Sequence, residues 1–175
     1  LRDAIAALPD GEYSATTHID GYLDDADPSR HHLPICATVR IKGDQMTVDL
    51  TGTAPQVDDR PINMPFVGTV DCAVWLTVRS ILLDAVEYGA IPQNAGLTRP
   101  IEIVAPKGCL ANPIFPAPVI ARFCPGNQLA DTVMKALAPI VPEKVSAGIG
   151  NLRIVALSGL DHSNHWVHME IMEGA

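Results

Sequence analysis

Asp49 stands at the end of an alternating run, and the loop that follows it is rich in polar atoms. Met46, Val48 and Leu50 alternate with Thr47 and Asp49, the period-two pattern of a half-buried strand. Thr51-Gly52-Thr53-Ala54-Pro55-Gln56 then stops the strand. A carboxylate is thereby delivered to a strand end beside hydroxyls, a flexible glycine and an amide, and loops held by a rigid sheet are where chemistry concentrates. Three later loops have the same make-up, namely 93–100 with Asn94, 107–113 with Asn112, and 124–128 with Asn127. Asn63 follows the loop that begins at Asp49. Side-chain amides orient a substrate carbonyl or stabilise a developing oxyanion. The plainer alternative is that Asn, Gly and Pro build turns.

His162, His165 and His168 invite a metal reading by their spacing. Residues three apart on a strand point to opposite faces, so His165 aligns with Val167, Met169 and Ile171, and His168 with Trp166, Glu170 and Met172. Structural zinc needs about four convergent ligands, and no metal ligand is assigned. His168 and Glu170, two apart on one face, read as a base and its orienting partner, or as a simple hydrogen-bonded sheet pair. The catalytic candidates are therefore Asp49, His168 and Glu170. The Gly-rich segment 146–151 precedes a strand instead of opening a helix and lacks a following Lys-Ser/Thr, so it fails as a phosphate loop. There is no G-x-S-x-G elbow. No cofactor is bound by a recognisable motif in this segment.

The elements that must position these residues follow from periodicity. Residues 13–20 alternate as a strand, followed by an acidic loop, 21–32. Leu33, Ile35, Ala37, Val39 and Ile41 form the apolar side of a second strand, and Gly43-Asp44 is a two-residue hairpin turn into the third. Val67, Val70, Val74, Val78, Ile81, Leu82 and Ala85 recur at helical spacing, predicting a buried helix. Residues 101–105 read as a short strand, and 106–125 as irregular. Asn127 caps a second helix with an inner face of Leu129, Val133, Ala136, Leu137 and Ile140, ended by Pro142. Two last strands, 152–158 and 165–172, enclose a turn at Gly159-Leu160-Asp161. The fold class predicted is α+β: antiparallel hairpins at both ends, with two buried helices and Pro/Gly-rich loops between.

Bulk properties exclude several classes. The 175 residues suit one domain, 1–175, with a real core. Hydrophobic content of 47% against 18% charged argues against disorder, and a net charge of -8 against nucleic acid. The apolar stretch 66–86 carries Asp71, Arg79 and Asp84, which argues against a membrane helix. Cys36, Cys72, Cys109 and Cys124 are widely spaced without a C-x-x-C and read as reduced thiols of a cytoplasmic protein, although spacing alone leaves a disulfide open. No signal peptide is visible, and the abrupt end after a strand-like run leads us to expect a portion of a longer protein.

In their order, segments 9–13 (Pro-Asp-Gly-Glu-Tyr), 49–56, 94–101, 106–113, 116–119 and the helix 127–137 resemble the B-subunit family of the hydantoinase/oxoprolinase enzymes. That group includes N-methylhydantoinase, 5-oxoprolinase and the acetone and acetophenone carboxylases; segments 121–127 and 165–170 look closer to acetophenone carboxylase. The resemblance covers nearly the whole chain and implies a division of labour. An A subunit of the acetate kinase/actin-like ATPase type phosphorylates a carbonyl or enol oxygen. The B subunit then hydrolyses an activated cyclic amide (hydantoin, oxoproline or lactam type) or carboxylates an activated ketone. The implied partners are that ATPase subunit and a small-molecule carbonyl substrate, within an oligomeric complex. A divalent metal is expected upstream of Pro9, and ATP on the partner subunit. The chain then corresponds to a central-to-C-terminal portion of a larger B-type subunit, inactive alone. Asp49, Asn63, Asn94, Arg99 and Asn112 match family positions, the last four as substrate-binding candidates. Arg99 would clamp a phosphate or carboxylate with Lys107 adding charge, or form an ordinary surface ion pair. The alternatives are a non-catalytic scaffold that docks the ATPase subunit and a free-standing small-ligand module.

Overall fold

The computed structural model describes residues 1–147 and 153–172. Strands β1 (Gly11–Asp20), β2 (His32–Lys42), β3 (Gln45–Asp49) and β4 (Ile101–Val104) form one sheet in that spatial order. Gly43, at φ 57°, makes the two-residue turn that sets Ile41 against Met46 and Thr38 against Asp49. The antiparallel hairpin expected at the N-terminal end is present, and its edge is extended into a mixed sheet by β4. β4 adds to β3 in parallel, Met46 opposite Ile101 and Asp49 opposite Val104. A parallel partner requires a long crossover; this one carries α2 (Asp71–Leu82), α3 (Ala85–Tyr88) and α4 (Ala95–Thr98).

Alternation gives the sheet two unlike faces. Ile35, Ala37, Val39, Ile41, Met46 and Val48 are buried on one. α5 (Phe123–Leu137) lies against β1 and β2 and also packs on α2. Leu129, Val133, Ala136 and Leu137 of α5 meet Val74, Val78, Ile81 and Leu82 of α2 in the same core, with Ile140 partly buried beside them. A short N-terminal helix, α1 (Arg2–Ala6), adds Ile5. Burying each such aliphatic side chain stabilises the fold by about 1.5–3 kcal/mol. The opposite face is polar, with Arg40 bridging Glu12 (2.7 Å) and Asp49 (3.0 Å).

Both core helices appear, with shifted starts. The 66–85 pattern is interrupted by a wide turn, Phe66–Val70, in which Gly68 takes φ 94°, so α2 begins only at Asp71. α5 begins at Phe123, placing Asn127 within the helix and not at its cap. At the C-terminus β5 (Arg153–Asp161) and β6 (Asn164–Met172) form a separate two-stranded antiparallel sheet. Its turn falls at His162 and Ser163, both at positive φ, so Gly159, Leu160 and Asp161 are strand residues. The expected Gly-rich segment 146–151 lies mostly outside the described residues. No helix among the described residues is long and apolar enough to cross a membrane.

Candidate functional site

The parallel pairing of β3 and β4 puts the loops leaving their C-terminal ends side by side. Backbone bonds tie them into one knot: Leu50 N–H donates to Val104 O (2.8 Å), Gln56 N–H to Gly108 O (2.9 Å), Leu110 N–H to Ala54 O (2.8 Å) and Met64 N–H to Leu110 O (2.7 Å). Gly52 and Gly108 turn the chain at φ 97° and 84°. Thr53 fastens the knot to β2, its Oγ1 accepting from Cys36 N–H (3.1 Å) and donating to Cys36 O (3.3 Å).

Asn63 is fully buried and is the central clip. Its Oδ1 accepts from Val57 N–H (3.0 Å), while Nδ2 donates to Val57 O (2.7 Å) and Pro118 O (2.9 Å). Asn112 Nδ2 donates to Ala105 O (2.8 Å). Gln56 brackets the peptide of Ile114, accepting its N–H (2.7 Å) and donating to its carbonyl (3.3 Å). Asp49 accepts from Thr51 N–H (3.0 Å) on one oxygen and pairs with Arg40 on the other. The Thr51 hydrogen bonds first, and the Arg40 guanidinium after them, hold its carboxyl below the ordinary value.

Two open clefts flank the loop 50–59. One, about 620 Å³, is lined by Tyr22, Ser29, Arg30, Thr53, Val57 and Asp59 among others. The other, about 820 Å³, lies between Gln56, Asp58 and the segment 114–118. Tyr22 is held in the first by two cations, Arg30 at 4.1 Å and Arg60 at 4.0 Å from its ring centre, each contact worth about 0.5–1 kcal/mol at exposed sites. Its hydroxyl donates to Asp59. Burial, and then the Asp59 carboxylate, push the phenol above its usual range, while the Tyr22 hydrogen bond lowers Asp59. Arg30 also pairs with Asp25 at 2.6 Å. Hydroxyl, guanidinium and carboxylate groups beside the apolar Leu33, Pro34 and Val57 form a wall suited to a small polar molecule with both donors and acceptors.

The structure thus brings Asp49, Asn63 and Asn112 to one loop system. Asn94 and Arg99 precede β4 and lie at its other end, where Pro100 O receives Met46 N–H (2.9 Å). Asn94 caps α4 through Gly96 N–H (2.9 Å), and Arg99 is exposed at the end of that helix. Segment 124–128 belongs to α5 and is not a loop. His168 and Glu170 sit on the C-terminal hairpin, 3.5 Å apart with side chains 61% and 62% exposed. Among the described residues no group of three or more His, Cys, Asp or Glu is placed to hold a metal, and the four cysteines are free thiols. Tyr22, Arg30, Arg60 and Asp59 were missed by sequence reasoning. They sit in an acidic, non-periodic loop and in the stretch after Gln56, and only folding makes them neighbours.

The fold defines the class first. The architecture matches acetone carboxylase in its nucleotide-free structure with a TM-score of 0.77 over 100% of this chain and 25% of that one, at 16% identity, a likeness of fold alone. The crystal structure of ATP-dependent caprolactamase from Pseudomonas jessenii matches with a TM-score of 0.72 and 28% identity, over 95% of this chain and 27% of that one. The chain belongs to the Hydantoinase B/oxoprolinase family, whose model matches residues 1–175. The B subunit of a "Putative D-/L-hydantoinase" from Pseudomonas sp. (strain NS671) is 63% identical over the whole chain and 30% of its own length. The beta subunit of caprolactamase from P. jessenii is 30% identical over 94% of the chain and 27% of its own length. The chain therefore spans under a third of these relatives.

Proposed function

We propose that these residues form part of the B subunit of an ATP-dependent cyclic amidohydrolase of the hydantoinase type. In this reading the loops 50–64 and 105–118 frame the site for a carbonyl substrate that a partner ATPase subunit has activated. The observation that supports it most is the unbroken match to a hydantoinase-named subunit over all 175 residues. Ketone carboxylation is the weaker reading, since the likeness to acetone carboxylase is one of fold only. Free thiols fit a cytoplasmic setting.

In this reading the residues divide by role. Arg30, Tyr22 and Asp58 face the clefts and bind or orient the substrate's polar atoms. Asp49, Asn63, Asn112 and Gln56 are positioning residues that hold the loops. In this reading His168, paired with Glu170 at 3.5 Å on the C-terminal hairpin, is the proton acceptor. Asn94 and Arg99 offer polar contacts at the far end of β4. No group of three or more His, Cys, Asp or Glu among the described residues is placed to hold a metal; in this reading a divalent metal and ATP are held by the rest of the complex.

The test uses a full-length subunit in which this chain replaces the matching span of its Pseudomonas relative, assembled with the ATPase subunit. Tyr22→Leu and Arg30→Gln should raise KM for a hydantoin about tenfold, the loss of one binding contact, and His168→Gln should lower kcat. Full activity in all three variants, with assembly intact, would leave the segment as a docking scaffold.

A further inference from the structure

The hairpin β5–β6 is exposed on both faces. Directly opposed residues share a face in an antiparallel pair. One face therefore carries Ile154 and Ile171, Ala156 and Met169, Ser158 and Val167, and Leu160 and His165. The other carries Val155 and Glu170, Leu157 and His168, and Gly159 and Trp166. On the first, Ile154 is 52%, Val167 61%, Met169 61% and Ile171 57% exposed; on the second, Leu157 is 52% and Trp166 43% exposed. No described hairpin residue belongs to the hydrophobic core or packs against it. An isolated two-stranded hairpin is marginal in water, and contiguous apolar surface of this kind marks an interface.

We infer that this hairpin is an interior pair of a larger sheet, completed by strands of the same B-type subunit that lie outside the 175 residues. Two observations select this occupant. The relatives matched by the chain are more than three times as long, since it covers 30% and 27% of them. And the apolar residues lie on both faces. A two-fold partner hairpin would cover one face and leave the other in water, whereas insertion into a layered sheet covers both and pairs the open strand edges. The His168–Glu170 pair, half-exposed in the segment, would then be enclosed on the Trp166 face, so the covering layer must supply polar partners there.

Amide exchange of residues 154–171 should be compared between the 175-residue chain and the full-length chimera. Burial predicts exchange slowed about a hundredfold in the chimera. Val167→Asp and Met169→Asp should lower the melting midpoint of the chimera and leave that of the 175-residue chain unmoved. Equal, fast exchange in both proteins would overturn the inference. So would a dimer of the 175-residue chain in light scattering that Val167→Asp dissolves, which would assign the face to a second copy. A protected hairpin in a chimera that opens no hydantoin would sink the proposed function and leave this inference standing.

Discussion

Asn63→Ala should be the most damaging single change in the loop knot. The side chain is 0% exposed and makes three hydrogen bonds, at 3.0, 2.7 and 2.9 Å, that join Val57 to Pro118. Truncation leaves one buried N–H and two carbonyls without these partners. At about 1 kcal/mol net for each lost bond, the loss is about 3 kcal/mol. For a chain of this size that lowers the melting midpoint by about 6–12 °C. Urea unfolding, read as a shift in midpoint at constant slope, measures it directly. Asn63→Asp separates hydrogen bonding from packing. The introduced carboxylate keeps the shape and the acceptor for Val57 N–H, but aims an acceptor at two carbonyls. Its folded-state pKa is therefore raised. The variant's stability is then greatest below the ordinary carboxylate value and is lost as pH rises through the folded one. A loss under about 0.5 kcal/mol for Asn63→Ala, the range of an ordinary surface change, would refute the clip.

Other consequences are smaller. Gln56→Ala removes the bracket around Ile114; the Ile114 amide should exchange about tenfold faster, the effect of about 1.4 kcal/mol lost locally, while global melting barely moves. Gly52→Ala forces a side chain to φ 97° and places Cβ 3.3 Å from Cys36 Sγ, costing about 1–2 kcal/mol. Gly43→Ala, at φ 57° with open space around it, should cost less in the same denaturation assay. Asp49 has a folded pKa below its ordinary 3.8. Its contribution is fully present above that value and lost as pH falls through the folded one, so parent and Asp49→Asn stability curves should converge in acid.

Much of the fold was legible because it is written in local periodicity. The alternation of Leu33 to Ile41 and the helical spacing of Leu129, Val133 and Ala136 each report burial on one face, and those residues are buried. The parallel docking of β4 on β3 was not legible: four residues, Ile101–Val104, carry no signal of direction. Gly68 and the start of α5 were missed because a bend and an uncapped helix end leave no periodic trace. The site was legible as loops but not as a site. Asp49 and Asn112 announce themselves by type, yet their convergence depends on strand pairing 55 residues apart, Thr47 with Glu102. The Tyr22 stack depends on Arg30 and Arg60, which no local pattern joins.

The central claim is that this segment frames the substrate site of a hydantoinase-type enzyme. The most direct measurement is ATP-dependent ring opening of a hydantoin by the assembled chimera, carrying either the native segment or Arg30→Gln. Turnover is expected with the native segment, and a raised KM with intact assembly in the variant. Equal KM in the two, or turnover of acetone with bicarbonate and none of hydantoin, would contradict the claim.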